Sequence, residues 1–393
     1  MSTGMSTAGL TVEPTEGRAQ MDHPLIAVPS HDELVEQLFV RDLKMFVMLQ
    51  IEPIQAKIAA GEVAQLPADR RNSAVADLRT AMAGHESYRT WLALKRETQR
   101  QLWSSVSASV ERQADALETL AEIAAPRGSV RTDADFAVPA YIAHGDIHLM
   151  PGGNAHDDQS ILQGAVMDRG GAVYMLGRNG GMLNDLRGQT AIAHVLTRMP
   201  DIAPDRVLDM GCGIGTSTVP AAKCFPEAEV HGIDVGASML RYAHARAEHL
   251  GAAVHFSQQS AEATDFEDGS FDVVYSCVMF HETSQTAMLN ILAETKRLLR
   301  PGGLAVHLEV PLLHDNSDPW TELAGELEAQ YNNEPNWRGA LTADYRALME
   351  AAGFKDVQVG YQPTSQAARQ GPFRFGPESE GVFRSWFVVS GVA

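Results

Sequence analysis

The chain has 393 residues, 45% of them apolar and 21% charged, an ordinary globular balance with length enough for two domains. Its formal net charge of −19 disfavours the basic footprint that nucleic acid or an anionic membrane requires, and no apolar run reaches the roughly 18 residues of a membrane span. Three cysteines, Cys212, Cys224 and Cys277, are too few for a disulfide framework, so the thiols are expected reduced in a cytoplasmic protein.

Residues 1–28 are rich in Ser, Thr, Gly, Ala and Pro, show no apolar period or secretory-signal pattern, and read as a disordered tail. Ser30 and Glu33 have the spacing of a capping box. Behind them Leu34, Leu38, Phe39, Leu43, Phe46, Val47 and Leu49 give helical spacing up to Pro53. An interruption from Gly61 to Pro67 precedes a second helical pattern from Ser73 to Ala83. From Glu86 to Ile123 the chain favours one long helix, or two broken near the Ser104-to-Ser109 cluster, ended by Pro126-Arg127-Gly128. Residues 29–128 are therefore expected as a helical lid or dimerisation domain. Either the C-terminal domain or a second subunit of a homodimer buries its apolar faces.

Residues 129–184 are expected to connect the domains and to cover the active site. If Tyr141 to Leu149 is extended, His144, Asp146 and His148 share one face, because strand side chains alternate. That face has three readings: metal ligation, contact with a polar substrate, or a solvent-facing edge; no metal ligand set is assigned. Pro151-Gly152-Gly153 forces a turn, Asp157 or Asp158 caps a short helix through Met167, and Gly170-Gly171 breaks it. A helix from Asn184 to Arg198 follows.

The stretch VLDMGCGIGTST, Val207 to Thr218, carries the strongest chemical signal. An apolar strand runs into Gly211, Gly213 and Gly215, and a helical pattern follows. Glycines accept positive φ and leave no Cβ between a ligand and the backbone, and the free N–H groups of the next helix point into the gap. The spacing is G-x-G-x-G, not the G-x-G-x-x-G of a dinucleotide fingerprint. From Arg206 onward strands and helices alternate, which argues for a doubly wound α/β sheet.

With an acid, Asp209, two residues before the first glycine, this stretch resembles the first motif of class I S-adenosylmethionine (SAM)-dependent methyltransferases. EVHGIDVGASML, VHFSQQSAEATDF, DGSFDVVYSCVMFHE and LLRPGGLAVHLEV match further family stretches in the right order. The resemblance covers about Asp185 to the C-terminus and is strongest to the small-molecule group that includes the ubiquinone and menaquinone C-methyltransferases. It implies a Rossmann-like, doubly wound seven-stranded sheet over residues 185–393, ending in an antiparallel pair near Val357 to Tyr361 and Val382 to Ser390.

It also implies a SAM site, with S-adenosylhomocysteine as product. Asp209, Gly211, Cys212, Gly213 and Gly215 would lie against the amino-acid portion of SAM. Asp234, nineteen positions past Gly215, would take the ribose hydroxyls. Val235 and Met239 would pack near adenine, Ser260 and Ala261 would replace the family's adenine-reading acid, and Cys277 would flank the cofactor. Tyr174, Arg178 and Asn179 are lid candidates by the same resemblance.

His281 and Glu282 point to where the methyl acceptor would sit. His281 is the first candidate for a general base, because the reference pKa of imidazole suits proton transfer near neutrality; Glu309, His144 and His148 follow. The insertion Leu312 to Arg338, with Trp320, Tyr331 and Trp337, and the loop tip Gly371 to Gly376, with Phe373 and Phe375, are the remaining distinctive stretches; the insertion is expected to help cover the acceptor. The reading that results is methyl transfer from SAM to a small organic acceptor. Its alternatives are a protein or RNA methyltransferase, RNA being opposed by the acidic charge, a SAM-binding protein without chemistry, and an NAD-dependent oxidoreductase. The glycine spacing and Arg300-Pro301-Gly302-Gly303 oppose the last.

Overall fold

The computed structural model describes residues 23–67, 75–143, 145–174, 185–310, 318–365, 374–380 and 384–393. Of the tail expected over 1–28, residues 1–22 lie outside this set. Residues 23–28 are packed instead: Leu25 and Ala27 are fully buried, and His23 Nε2 lies 3.1 Å from Asp168 Oδ2.

α1 (His31–Phe46) starts with the expected capping box, Ser30 and Glu33 each accepting from the other's backbone N–H. Pro53 does not stop the helical run. A π turn over Val47–Ile51 re-registers the chain, so Pro53 falls in the first turn of α2 (Glu52–Gln65), where a missing N–H costs nothing. Gly61 lies inside α2 rather than in an interruption. α3 (Val75–Gly84), α4 (Glu86–Glu111) and α5 (Ala114–Ala121) follow. The break after α4 is at Arg112 and Gln113, not at the serines. Ser105 donates back to Leu102 O, and Gln37 Nε2 donates to Ser105 O and Ser109 Oγ, so the buried hydroxyls are satisfied within an unbroken helix.

β1 (Ser129–Arg131), α6 (Ala140–Ala143), a 3-10 turn (Ile147–Leu149) and α7 (Leu162–Val173) make up the connecting segment. Tyr141 to Leu149 is therefore not an extended strand. The Pro139 carbonyl accepts from Ile142 N and Ala143 N, starting a helical turn, and positive φ at Gly145, His148 and Leu149 then curls the chain. Asp146 Oδ1 accepts from Gly152 N at 2.9 Å, so it braces the Pro151-Gly152-Gly153 turn instead of sharing a face with His148; His144 lies outside the described residues. Gly170 and Gly171 do not break α7. At Gly170 the absent side chain admits Trp103 of α4, whose ring comes within 2.4 Å of where a Cβ would stand. The helix is opened not by an Asp side chain but by Ser160 Oγ, which accepts from Leu162 N and itself donates to Asp158.

α8 (Asp185–Arg198) leads into the sheet domain: β2 (Arg206–Met210), α9 (Thr218–Cys224), β3 (Glu229–Asp234), α10 (Ala237–His249), β4 (His255–Gln258), β5 (Phe271–Cys277), α11 (Gln285–Leu298), β6 (Leu299–Glu309), α12 (Pro319–Tyr331), α13 (Trp337–Leu341), α14 (Tyr345–Ala351), β7 (Lys355–Pro363) and β8 (Ser385–Val392). The strand order is β1-β4-β3-β2-β5-β6-β8-β7, parallel except for β8, which runs antiparallel to both neighbours. Among the described residues the sheet has eight strands: the seven expected over 185–393, β2 to β8, and one more. The extra strand, β1, comes from the connecting segment. The Glu248 carboxylate accepts from Arg127 N and Gly128 N at 2.7 Å each, and Gly128 lies so close to Val254 that only glycine fits, which lays the chain along β4.

Helices cover both sheet faces, as continuous apolar strands such as the fully buried β5 require. Ile192 of α8, Val219 of α9 and Leu240 of α10 pack on one side; Ile291 of α11 and Tyr345 of α14 pack on the other. The N-terminal helices bury much of their apolar surface on the same chain. Leu102, Trp103 and Val106 meet Val166 and Tyr242, while Trp91 and Leu92 meet Leu323 and Leu327 of α12. No described helix is long and apolar enough to cross a membrane.

Candidate active site

The parallel strands end their C-termini along one rim, where a doubly wound sheet offers a crevice. On one side of that rim lies the glycine-rich turn. Gly211, Gly213 and Gly215 all have positive φ, at 69°, 51° and 76°. Gly211 N and Cys212 N both donate to Ile233 O, pinning the turn to the end of β3. Asp234 braces it from there: Oδ2 accepts from Gly213 N at 2.8 Å, and Oδ1 accepts from Gly236 N at 2.9 Å at the start of α10. Burial raises the pKa of this carboxyl, and the two N–H donors oppose the rise. Each oxygen keeps a lone pair for a further donor.

Asp209 is fully buried. Its Oδ2 accepts from Ser217 Oγ at 2.6 Å and Thr218 Oγ1 at 2.7 Å, so it holds the start of α9, while Oδ1 has no protein partner. Burial, with the charge of Asp234, pushes its pKa up to about 7. Cys212 and Cys277 are buried thiols raised well above their usual pKa by burial, hence unreactive packing groups. Met239 is buried beside Ile214 and Tyr242, while Val235 is half-buried, its carbonyl accepting from Gln258 Nε2. Ser260 Oγ accepts from Glu262 N at 3.2 Å, so it closes its own turn; Ala261 packs against the sheet's second core.

This end fits a nucleoside-bearing ligand. A Cβ on Gly213 would meet nothing within 4 Å, which leaves open space over the turn. The Pro151-Gly152-Gly153 loop arches across, with Asn154 O only 2.3 Å from where a Cβ on Gly236 would stand, and Asn154 Oδ1 is buried without a partner.

On the other side of the rim a chain of imidazoles and carboxylates meets. His281, on the 3-10 turn Phe280–Glu282 that follows β5, places Nδ1 2.6 Å from Glu309 Oε2 at the end of β6. Glu309 Oε1 accepts from Phe280 N at 2.6 Å, which fixes the carboxylate. His281 Nε2 lies 3.5 Å from Glu282 Oε1, and the same oxygen lies 3.1 Å from His148 Nε2. His148 Nδ1 is 2.9 Å from Glu334 Oε1, and Asn332 Nδ2 also donates to Glu334. Trp103 Nε1 and Gln99 Nε2 of α4 both donate to His148 O, at 2.7 and 2.8 Å. Trp337 of the insertion packs edge-on against the His281 ring.

The carboxylates set the charge here. Burial would lower both imidazole pKa values, but Glu334 and Glu282 raise His148 to about 10, and Glu309 with Glu282 raises His281 well above its usual value. His281 is thus not the near-neutral imidazole expected of an isolated base. Backbone strain gathers at the same place: His148, Leu149, Val278 and Asn333 all have φ between 54° and 56°. For a β-branched residue such as Val278 that is an outlier, which a fold retains where the geometry serves a site.

The structure thus brings His281, Glu309 and His148 together; Arg178, Asn179 and Gly371 to Phe373 lie outside the described residues, as does His144. Sequence reasoning missed Glu334, Asn332, Gln99 and Trp103. The polar run Asn332-Asn333-Glu334 after the amphipathic α12 was the one signal available.

Residues 207–303 match the family model described as "Methyltransferase domain". The chain is 38% identical over 109 residues to a demethylmenaquinone methyltransferase of Thermus thermophilus, a match covering 28% of this chain and 49% of that protein. It therefore spans about half the length of that relative. A demethylmenaquinone methyltransferase of Lactococcus lactis is 35% identical over 187 residues, covering 43% of this chain and 73% of the relative. Among solved structures, the phosphoethanolamine N-methyltransferase 2 of Haemonchus contortus with S-adenosyl-L-methionine aligns at 18% identity and TM-score 0.38 over 51% of each chain. Strand order, glycine turn and these sequence relatives lead to one statement: the chain belongs to the class I SAM-dependent methyltransferases.

Proposed function

We propose that the chain transfers the methyl group of SAM to a small organic acceptor. The observation that carries this reading is the glycine turn braced through Gly213 N by Asp234, with open space over Gly213. Bound SAM supplies an electrophilic methyl on a sulfonium. The chain's own work is to hold that methyl in line with the acceptor and to exclude water. Asp234 takes the ribose hydroxyls with its remaining lone pairs, and Gly211 to Gly215 leave the backbone bare. The loop 151–156 covers the donor end, and Trp337 at the start of α13 closes on His281 at the other. On the acceptor side, His281, fixed by Glu309, and His148, fixed by Glu334, orient the acceptor with Glu282 between them.

Calorimetry of SAM binding tests the donor half. Asp234→Ala is expected to abolish binding while circular dichroism shows the fold intact; unchanged affinity would remove the ribose assignment. Labelled methyl transfer into metabolite extracts then identifies the acceptor, and His281→Ala is expected to lower turnover far more than SAM affinity.

We also infer a homodimer and a cytoplasmic location. Phe39, Phe46 and Ile54 of α1 and α2 remain more than half exposed, which supports a homodimer through the N-terminal helices. Sedimentation of the wild type against Phe39→Glu checks it. The three cysteines, all unbridged, support a cytoplasmic location.

A further inference from the structure

His148 and His281 share an arrangement that a simple ion-pair network does not need. Each turns Nδ1 onto a buried carboxylate, Glu334 Oε1 at 2.9 Å and Glu309 Oε2 at 2.6 Å. Each turns Nε2 toward the same third carboxylate, Glu282. A carboxylate on the far ring nitrogen fixes the tautomer and raises the basicity of a histidine that ligates through the other nitrogen. Here that pairing occurs twice, from chain segments 133 residues apart, around one point.

The distances suit one small ion. Two donors each about 2.0–2.1 Å from a tetrahedral ion stand roughly 3.4 Å apart. Glu282 Oε1 is 3.1 Å from His148 Nε2 and 3.5 Å from His281 Nε2, and one ligand atom from each of the three residues lies within 4.8 Å of the others. Two buried oxygens, Glu282 Oε2 and Glu334 Oε2, have no hydrogen-bond partner, and the Glu334 side chain is only 3% exposed. Three carboxylates face two imidazoles, and an ion bound there displaces the proton from each Nε2, so binding weakens in acid. His148, and Val278 three residues before His281, hold positive φ, so both imidazoles stand on or near strained backbone.

We propose that His148 Nε2, His281 Nε2 and the Glu282 carboxylate form a binding site for a divalent transition-metal ion. Glu334 and Glu309 are its positioning residues. Two imidazoles and one carboxylate select the zinc, cobalt, iron and manganese class over calcium or magnesium. Three protein donors leave coordination positions open, as catalytic rather than structural metal sites do. The ion would occupy the acceptor end of the proposed methyl-transfer site, so the inference deepens that reading, and the acceptor would meet the ion there.

The test is titration of the metal-stripped full chain with cobalt(II), read by visible absorption. The expected result is saturation at one equivalent. Glu334→Gln should weaken binding about 10–100-fold, and His148→Ala and Glu282→Gln at least as much. No saturable binding, or undiminished binding in all three variants, would overturn the site. If the variants do not fold, the wild-type cobalt protein still decides, through paramagnetically shifted proton resonances. Two shifted exchangeable imidazole N–H signals, one from each carboxylate-held Nδ1, are expected; one or none would refute it. SAM calorimetry with and without EDTA runs alongside. Lost cobalt binding with SAM binding intact removes the metal site alone, and the reverse removes the methyltransferase reading alone.

Discussion

The two ends of the crevice are built in opposite ways. The donor end is local: Gly211 to Gly215 and Asp234 lie within 24 residues, and its essential contacts are backbone N–H groups on one carboxylate. The acceptor end is assembled from remote segments. His148, His281, Glu309 and Glu334 come from four separate segments, and α4 adds two donors to the His148 carbonyl. Backbone chemistry thus makes the first end, and tertiary packing makes the second. Changes at one end should leave the other unmoved.

The largest expected effect is at the donor end. Gly211→Val puts a β-branched side chain at a φ of 69°, with Cβ 2.7 Å from Met279 Sδ. Met279 can shift, but the backbone strain stays, at about 1–2 kcal/mol. SAM binding should become unmeasurable by calorimetry while cobalt(II) binding persists. Wild-type SAM affinity in this variant would break the claim that bare backbone makes the donor end.

The same contrast explains what was legible in the sequence. Glycine spacing and an acid at a strand end are local signals, because a turn of positive φ can be read from residue type alone. So were the alternating strands and helices from Arg206 onward. Glu334 was not legible, since nothing within its own segment says that a turn 186 residues earlier will face it. His148 was noticed for the wrong reason: it matters through a 3-10 turn with positive φ, not through strand alternation with Asp146. The break expected at Gly170 failed because a glycine can serve a close helix contact, here with Trp103, as readily as a stop. The eighth strand escaped notice because three residues are too few for a period, and a side chain on α10, Glu248, lays them along β4.

Acid should weaken the scaffold that both ends share. His194 is fully buried between Gln362 Oε1, 3.1 Å from Nδ1, and Ser390 Oγ, 2.9 Å from Nε2. Burial pulls its pKa down to about 4. The unfolded chain, with a histidine pKa near 6.5, binds more protons between these values. Its contribution is therefore complete above about pH 6.5 and is lost as pH falls toward 4, by about 3 kcal/mol. Urea midpoints across this window should fall for the wild type and less steeply for His194→Gln. Identical slopes would exclude His194 as a source of the acid sensitivity.

The smallest effect probes the join between the helical region and the acceptor end. Gln99 is buried, and its Nε2 donates to His148 O, a carbonyl that Trp103 Nε1 also reaches. Gln99→Leu keeps the volume and removes one donor to His148 O, at a cost of about 1 kcal/mol, together with an acceptor of Lys44 Nζ on the far side of the amide. Because Trp103 still holds the carbonyl, the 3-10 turn should loosen rather than unfold. Cobalt(II) affinity should fall a few-fold, and SAM affinity should stay within the error of calorimetry. A matching loss of SAM affinity would mean that α4 supports both ends alike, and that the division between a local donor end and an assembled acceptor end does not hold.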